Sequence, residues 1–413
     1  MKKMKKLLAL VLSGALAVGA LSGCGSKEEP APQPEQPVQA ESVDLSVLTG
    51  PVEYVSGLAP DTVVGNVGKY EITADMLMYW FNYSVNYTGQ QYTALGMTDF
   101  DWGADMGEGV TVAQAILNSA LELSAYYTLL PQMAQQEYGL IPDEADMAGV
   151  ESDLAEAEAH FGSAEKAEHY MWMNMTTEEF YRELVGSSSL ELRLQETLFG
   201  PGGEYEPTDA EVLAFADEQG HYGAKHILLM TQNPNEYVYD EAGNPTGYAP
   251  LSEDEIAQKK ALAEKLLGKL DNAKDPIALF DSLMNEYSED TGLAAYPDGY
   301  TAAPGQMVAP FEKAAKELKE GEISGIVESD FGYHIIQRIP LDPAAFKGDY
   351  IAARVDELAQ GWLQESEISH SEAFEGIDPV AAIDKLFAMQ DAIYMELYPE
   401  LFEEAPAEGE SQG

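Results

Sequence analysis

Four residues in the central part of the chain carry groups that can take up, release or orient a proton: His226, Asp290, Ser329 and His334. His226 lies in Ala224-Lys225-His226-Ile227-Leu228, and His334 opens His334-Ile335-Ile336-Gln337-Arg338, both stretches of strand composition. Asp290 closes the run Tyr287-Ser288-Glu289-Asp290. Imidazole is the side chain that exchanges a proton nearest neutral pH, and a carboxylate can polarise or orient it. Each residue alone also has a plainer reading. A histidine on a strand is commonly core filling or surface, and Asp290, like Glu289 beside it, reads as a solvated acid. Met307 and Phe311, four apart at a helix start, read as core.

These residues need a scaffold, and the pattern of the chain supplies one. Val63, Val64, Val67 and Tyr70 surround Gly65 and Gly68 as in a short hairpin, after which Thr73 begins a helix. Helical spacing recurs over 112–138, 142–160 and 176–198, the last with Thr176 to Glu179 as an expected capping box. Pro207-Thr208-Asp209 opens another helix, so residues 60–220 read as helical with a small strand feature. The pattern changes between His221 and Leu341. A strand at 224–230 is followed by a polar loop at 231–251, and Ser252-x-x-Glu255 caps an amphipathic helix. Asp275-Pro276 starts the next helix and Pro310 a short one, before strands at 326–329 and 334–338. From Pro343 onward the spacing is helical again, over 350–366 and 378–396.

Five segments in order carry a family resemblance: Ala224-Lys225-His226-Ile227-Leu228; Tyr287-Ser288-Glu289-Asp290; Gly305-Gln306-Met307-Val308-x-Pro310-Phe311; Leu318-Lys319-Glu320-Gly321-Glu322-Ile323-Ser324; and Phe331-Gly332-Tyr333-His334-Ile335-Ile336. Together they resemble the parvulin (PpiC, rotamase) peptidyl-prolyl isomerases, and the whole resembles the PrsA-type foldase lipoproteins of Gram-positive bacteria. The resemblance implies an α+β fold, a parvulin-like mixed sheet with surrounding helices, inserted between helical chaperone-like segments. It also implies catalysis of prolyl cis-trans isomerisation without metal or cofactor. That step breaks no bond but must cross a barrier of about 18–20 kcal/mol. By the same resemblance His226 and His334 pair at the pocket floor, with Ser329 completing their network. Asp290 stands near the substrate carbonyl, and Met307, Phe311 and Gln306 line the proline pocket. Two departures stand out. The family usually carries an aromatic five residues before the pocket methionine, where this chain has Ala302, with Tyr300 or Tyr296 as possible substitutes. The loop 231–251 has no basic residue, and no arginine falls between Arg193 and Arg338, which argues against phosphate recognition.

The N-terminus bears on compartment. Lys2, Lys3, Lys5 and Lys6 precede an apolar run from Leu7 to Leu21, the pattern of a secretory signal. It ends in Leu21-Ser22-Gly23-Cys24, which resembles the bacterial lipobox, and Cys24 is the single cysteine of the 413 residues. Lipidation there would tie the protein to the outer face of the plasma membrane and leave no disulfide to form. The balance of 22 basic against 72 acidic side chains argues against nucleic acid as a partner, since phosphate binding needs a basic footprint. The expected partners are unfolded or partly folded exported polypeptides containing X-Pro bonds, and the membrane through the anchor. The expected organisation is a signal peptide at 1–23, Cys24 and a tether over 24–58, and a helical chaperone-like domain over 59–220. The parvulin domain then takes 221–341, helices packing on the N-terminal domain 342–403, and an acidic tail 404–413. Two other readings remain open: a non-catalytic holding chaperone on a degenerate parvulin scaffold, favoured by Ala302, and a solute-binding lipoprotein, disfavoured by the lack of alternating βα units.

Overall fold

The structure, a computed structural model, describes residues 43–97, 100–240 and 243–402. The expected signal peptide, Cys24, the tether up to residue 42 and the tail from 404 lie outside the described residues. The first unit comprises α1 (Pro51–Ser56), β1 (Val63–Val67), β2 (Tyr70–Thr73), α2 (Ala74–Ala94), α3 (Val112–Tyr138), α4 (Glu144–Phe161), α5 (Ala164–Trp172) and α6 (Glu178–Phe199). The second unit, Tyr205–Ala353, holds α7 (Asp209–Glu218), β3 (Tyr222–Met230), β4 (Gln232–Tyr239), β5 (Pro245–Pro250), α8 (Glu253–Asp271), α9 (Pro276–Tyr287), β6 (Tyr300–Ala302), α10 (Ala309–Glu317), β7 (Ile323–Ser329) and β8 (Gly332–Ile339). The chain goes on through α11 (Lys347–Glu365), β9 (Ile368–His370), α12 (Glu372–Glu375) and α13 (Pro379–Leu397), and from Arg354 it rejoins the first unit.

In the first unit, α2, α3 and α13 bury their apolar stripes together. Leu77 and Phe81, Leu117 and Leu121, and Met389 and Ile393 all belong to one core, each pair four apart on one face. Thr111 caps α3 by accepting the Gln114 N–H at 3.1 Å. Beside these helices, β1 pairs antiparallel with β2 on one side and β9 on the other. That third strand was not expected. Gly65 permits it, because a Cβ there would stand 2.5 Å from the Ser369 carbonyl oxygen. Two local expectations are corrected. The span 24–58 is not tether throughout: Leu45, Val52 and Val55 are buried in this core. The cap of α6 is Thr177, accepting the Phe180 N–H at 3.2 Å, while the Thr176 hydroxyl donates to the Met171 carbonyl. No helix among the described residues is long and apolar enough to cross a membrane.

The second unit is built on one sheet, strand order β6-β3-β8-β7, with every neighbouring pair antiparallel. Side chains alternate across β3, so its two faces build two cores. Ile227 and Leu229 pack on α8 and α9 through Leu266, Leu270, Phe280 and Leu283. Tyr222 and Ala224 face α10, with Ala302, Phe311, Ala315 and Ile336. The expected caps hold. Ser252 and Glu255 form a reciprocal capping box on α8, and Asp275 caps α9 with Pro276 in its first turn. The long β3–β8 pairing sets Gly223 opposite Ile339, so the strands that open and close the sheet are neighbours. Two departures follow. The polar stretch 231–251 is the hairpin β4–β5, whose outward residues on both faces leave no hydrophobic period to read. The compact unit reaches beyond 221–341 on both sides, since Val212 and Ala216 of α7 bury with Phe346.

Candidate functional site

Between α9 and β6 the chain makes an irregular loop, and that loop builds the site. Beyond Ala224 the β6 edge of β3 has no strand partner, and residues 288–290 lie along it instead. Ser288 Oγ accepts the Leu228 N–H at 3.1 Å, the Glu289 N–H donates to the Leu228 carbonyl at 2.8 Å, and the Glu289 carboxylate accepts the Met230 N–H at 2.7 Å. Lys259 holds the other oxygen of Glu289. Glu289, although exposed, is therefore part of the backbone scaffold and not simply a solvated acid. The outcome is that Asp290 meets His226, with Oδ2 3.1 Å from Nε2.

The two histidines sit on neighbouring strands, and the register places Leu228 opposite His334 and His226 opposite Ile336. The rings are thus diagonal neighbours on one face, with centroids 5.2 Å apart and planes 17° from parallel. Their Nδ1 atoms are 3.0 Å apart, and His334 Nε2 lies 2.7 Å from Ser329 Oγ. Valence decides the direction of these bonds in the neutral pair. Ionised Asp290 can only accept, so His226 Nε2 carries a proton and its Nδ1 accepts from His334 Nδ1–H. His334 Nε2 then accepts from the Ser329 hydroxyl. Ser329, His334, His226 and Asp290 form one line of donors pointing toward the carboxylate.

Asp290 has further support. The Tyr300 hydroxyl donates to Oδ2 at 2.5 Å, and the Gly292 N–H donates to Oδ1 at 2.9 Å. Burial alone would raise the carboxyl pKa, but the hydrogen bonds from His226, Tyr300 and Gly292 outweigh it and hold the group well below the usual carboxylate range. His334, 3% exposed, is driven down to about 3, first by desolvation and then by the neighbouring His226, with Asp290 opposing. Burial and the Asp290 charge raise the Tyr300 phenol, keeping it a donor.

The apolar side of the site comes from α10 and the turn before it. Phe311, buried, meets both imidazoles edge to face, at 5.1 Å from His226 and 5.6 Å from His334. Met307 packs, half-buried, against the same apolar cluster, which also holds Ala302 and Ile336. Gln306 is exposed, and its side-chain oxygen accepts the Ala303 N–H at 2.8 Å, closing the turn that leads into α10. Ala302 is buried core, and the aromatic beside the carboxylate is Tyr300, with Tyr296 against it at 5.0 Å. The structure thus brings His226, Asp290, Ser329, His334, Met307 and Phe311 together. The sequence offers Tyr300 only as a substitute for the aromatic missing at Ala302, and its hydrogen bond to Asp290 has no signal in the pattern of the chain. Gly292 was missed, although a Cβ there would collide with the Tyr300 hydroxyl.

Residues 226–339 match the rotamase family of PPIC-type PPIASE domains. They are a parvulin-type peptidyl-prolyl cis-trans isomerase domain. The chain is similar to the foldase protein PrsA of Geobacillus kaustophilus, 29% identical over 193 residues, covering 40% of this chain and 66% of the relative. It is 38% identical over 113 residues to foldase protein PrsA 1 of Bacillus cereus, covering 25% and 37%. With the chaperone SurA of Chromohalobacter salexigens it shares 33% over 133 residues, covering 32% and 27%. The chain therefore spans between about a quarter and about two thirds of these relatives. Among solved structures, PrsA from Bacillus subtilis is 21% identical, with 61% of this chain and 86% of that one covered and a TM-score of 0.22, too low to bear on the fold.

Proposed function

We propose that this chain is an exported, lipid-anchored foldase. Its parvulin domain isomerises X-Pro bonds of unfolded or partly folded exported polypeptides, and its helical unit holds them. The observation that carries the catalytic part is the line of donors from Ser329 through His334 and His226 to an ionised Asp290, beside the apolar seat of Met307 and Phe311. A planar amide places negative charge on its carbonyl oxygen, and the barrier of about 18–20 kcal/mol is largely the loss of that resonance. A carboxylate beside the oxygen disfavours the charge-separated form, and so favours the twisted amide over the planar one. An apolar seat holds the proline ring while the carbonyl side turns. His226 and His334 act by orienting Asp290 and keeping the floor in one hydrogen-bonded arrangement.

The test is turnover of a short Ala-Pro peptide by the full-length chain in a protease-free assay. Asp290→Ala and Met307→Ala are each expected to lower kcat/KM by about tenfold or more, the loss of roughly 1.4 kcal/mol of transition-state stabilisation. Unaltered turnover in both variants rejects the assignment, and a wild-type chain without turnover leaves the holding chaperone. Export and anchoring rest on Leu21-Ser22-Gly23-Cys24 behind a basic, apolar leader. Cys24→Ser should release the protein from the membrane fraction, and a variant retained as fully as the wild type would sink the anchor.

A further inference from the structure

The hairpin β4–β5 is joined to the catalytic floor at its base and has no core of its own. The Thr231 N–H donates to the Phe331 carbonyl at 3.0 Å, and Gln232 Nε2 donates to the Asp330 carbonyl at 2.6 Å. Asp330 and Phe331 form the turn directly after Ser329, whose hydroxyl reaches His334. From that base the eight residues of β4 extend for roughly 26 Å at strand rise. Among the described residues β4 and β5 pair only with each other, so both outer edges are unpaired.

Three tyrosines cluster on this hairpin. Tyr237 stands opposite Tyr248 in the register, their rings 4.9 Å apart, and Tyr239 lies 6.3 Å from Tyr237. Tyr237 and Tyr239 are 49% and 59% exposed, and Phe331 at the base is 42% exposed. A two-stranded ribbon is marginal on its own, and one that displays its aromatics to water gains from covering them. Charge narrows what can do so. Residues 231–251 contain Glu236, Asp240 and Glu241 and no lysine, arginine or histidine, and Glu328 and Asp330 flank the base. Aromatic faces on a ribbon whose sequence carries acids and no cation attract ammonium and guanidinium groups, and disfavour acidic segments.

We propose that the β4–β5 hairpin is a docking arm for basic, extended segments of the polypeptide whose prolyl bond occupies the parvulin site. It deepens the isomerase reading by naming a substrate class: X-Pro bonds flanked by lysine and arginine. The segment lies along the free strand edge, as in strand addition, with its cations over the tyrosine rings.

Binding and turnover are measured separately, so that the two readings fail separately. Fluorescence anisotropy with the full-length chain compares labelled Ala-Pro peptides of about twelve residues, enough to span the arm at strand rise. One peptide is flanked by lysine and arginine, the other by glutamate. The expected result is binding of the basic peptide tighter by about tenfold or more, a difference of about 1.4 kcal/mol. The triple variant Tyr237→Ser, Tyr239→Ser, Tyr248→Ser should lose that preference, and so should Glu236→Lys, a single exposed change at a residue whose carboxylate accepts from Asn233 at 3.4 Å. Added salt should weaken the wild-type preference. Equal binding of both peptides by the wild type, or a preference retained in both variants, overturns the docking arm. Turnover of a four-residue Ala-Pro peptide, too short to reach the arm, reports on the isomerase reading alone.

Discussion

His334 couples stability to pH through one proton. Its ordinary pKa of 6.5 falls to about 3 in the fold, because burial and His226 disfavour the charged ring. The unfolded chain therefore takes up that proton first as the solution is acidified. Between about pH 6.5 and about pH 3 the unfolded state holds the extra proton, so stability falls as pH falls through this window. From about pH 7 to about pH 4 the loss is on the order of 3 kcal/mol. Asp290, also lowered, adds its own loss as pH falls through the ordinary carboxylate range and below it. The measurement is urea unfolding of the full-length chain, with the second unit followed by amide hydrogen exchange. His334→Phe should flatten the slope between about pH 6.5 and about pH 4, and a variant with the wild-type slope would remove His334 as its source. At this scale the sequence was legible where residue type implies role. The five motif segments supplied His226, Asp290, His334, Met307 and Phe311, all of which meet in the fold. Tyr300 was only half legible: its hydroxyl reaches Asp290 through the irregular loop after α9, and no periodicity encodes that path.

The loop from Ser288 to Gly292 shows what an element without regular structure can fix. Ser288 and Glu289 take the backbone donors of an unpaired strand edge, and Gly292 leaves room for the Tyr300 hydroxyl. Any side chain at 292 must displace that phenol, and with it a bond to the carboxylate. Gly292→Ala should therefore lower kcat/KM on a short Ala-Pro peptide by about tenfold, while Tyr300→Phe, which keeps the ring, loses about threefold. Circular dichroism of both variants checks that the sheet is intact, and full activity in Gly292→Ala would show that the Tyr300 bond is dispensable. Helices and their caps were legible because periodicity and capping chemistry are local: Ser252 with Glu255, and Asp275 with Pro276, sit where the sequence puts them. The β4–β5 ribbon and the three-residue β9 were not. The first turns outward on both faces, and the second is too short to show alternation and is defined by a partner far along the chain.

At the scale of the molecule, the first unit has its own core and its own sheet, assembled from both sides of the interruption at 205–353. Replacing residues 205–346 with a Gly/Ser linker of about 15 residues, whose reach is roughly 20 Å, should leave a soluble helical protein. It should still suppress aggregation of a denatured client and show no isomerase activity. Failure to fold, or folding without holding activity, would reduce the helical unit to a support for the isomerase. The β1–β9 pairing also has a consequence in time. Ser371 bonds to Val63 across 308 residues, so β1 is far along the chain from its second partner. Closing a loop grows costlier with its length, and contacts so distant form late. The sheet of the second unit is complete by Ile339 and depends on nothing downstream of Ala353 for its strands. Maturation is then ordered by topology, the prolyl isomerase lobe first and the helical lobe last. During that interval the folded second unit is tethered to an unfinished first unit, the one that holds Pro51, Pro131 and Pro142.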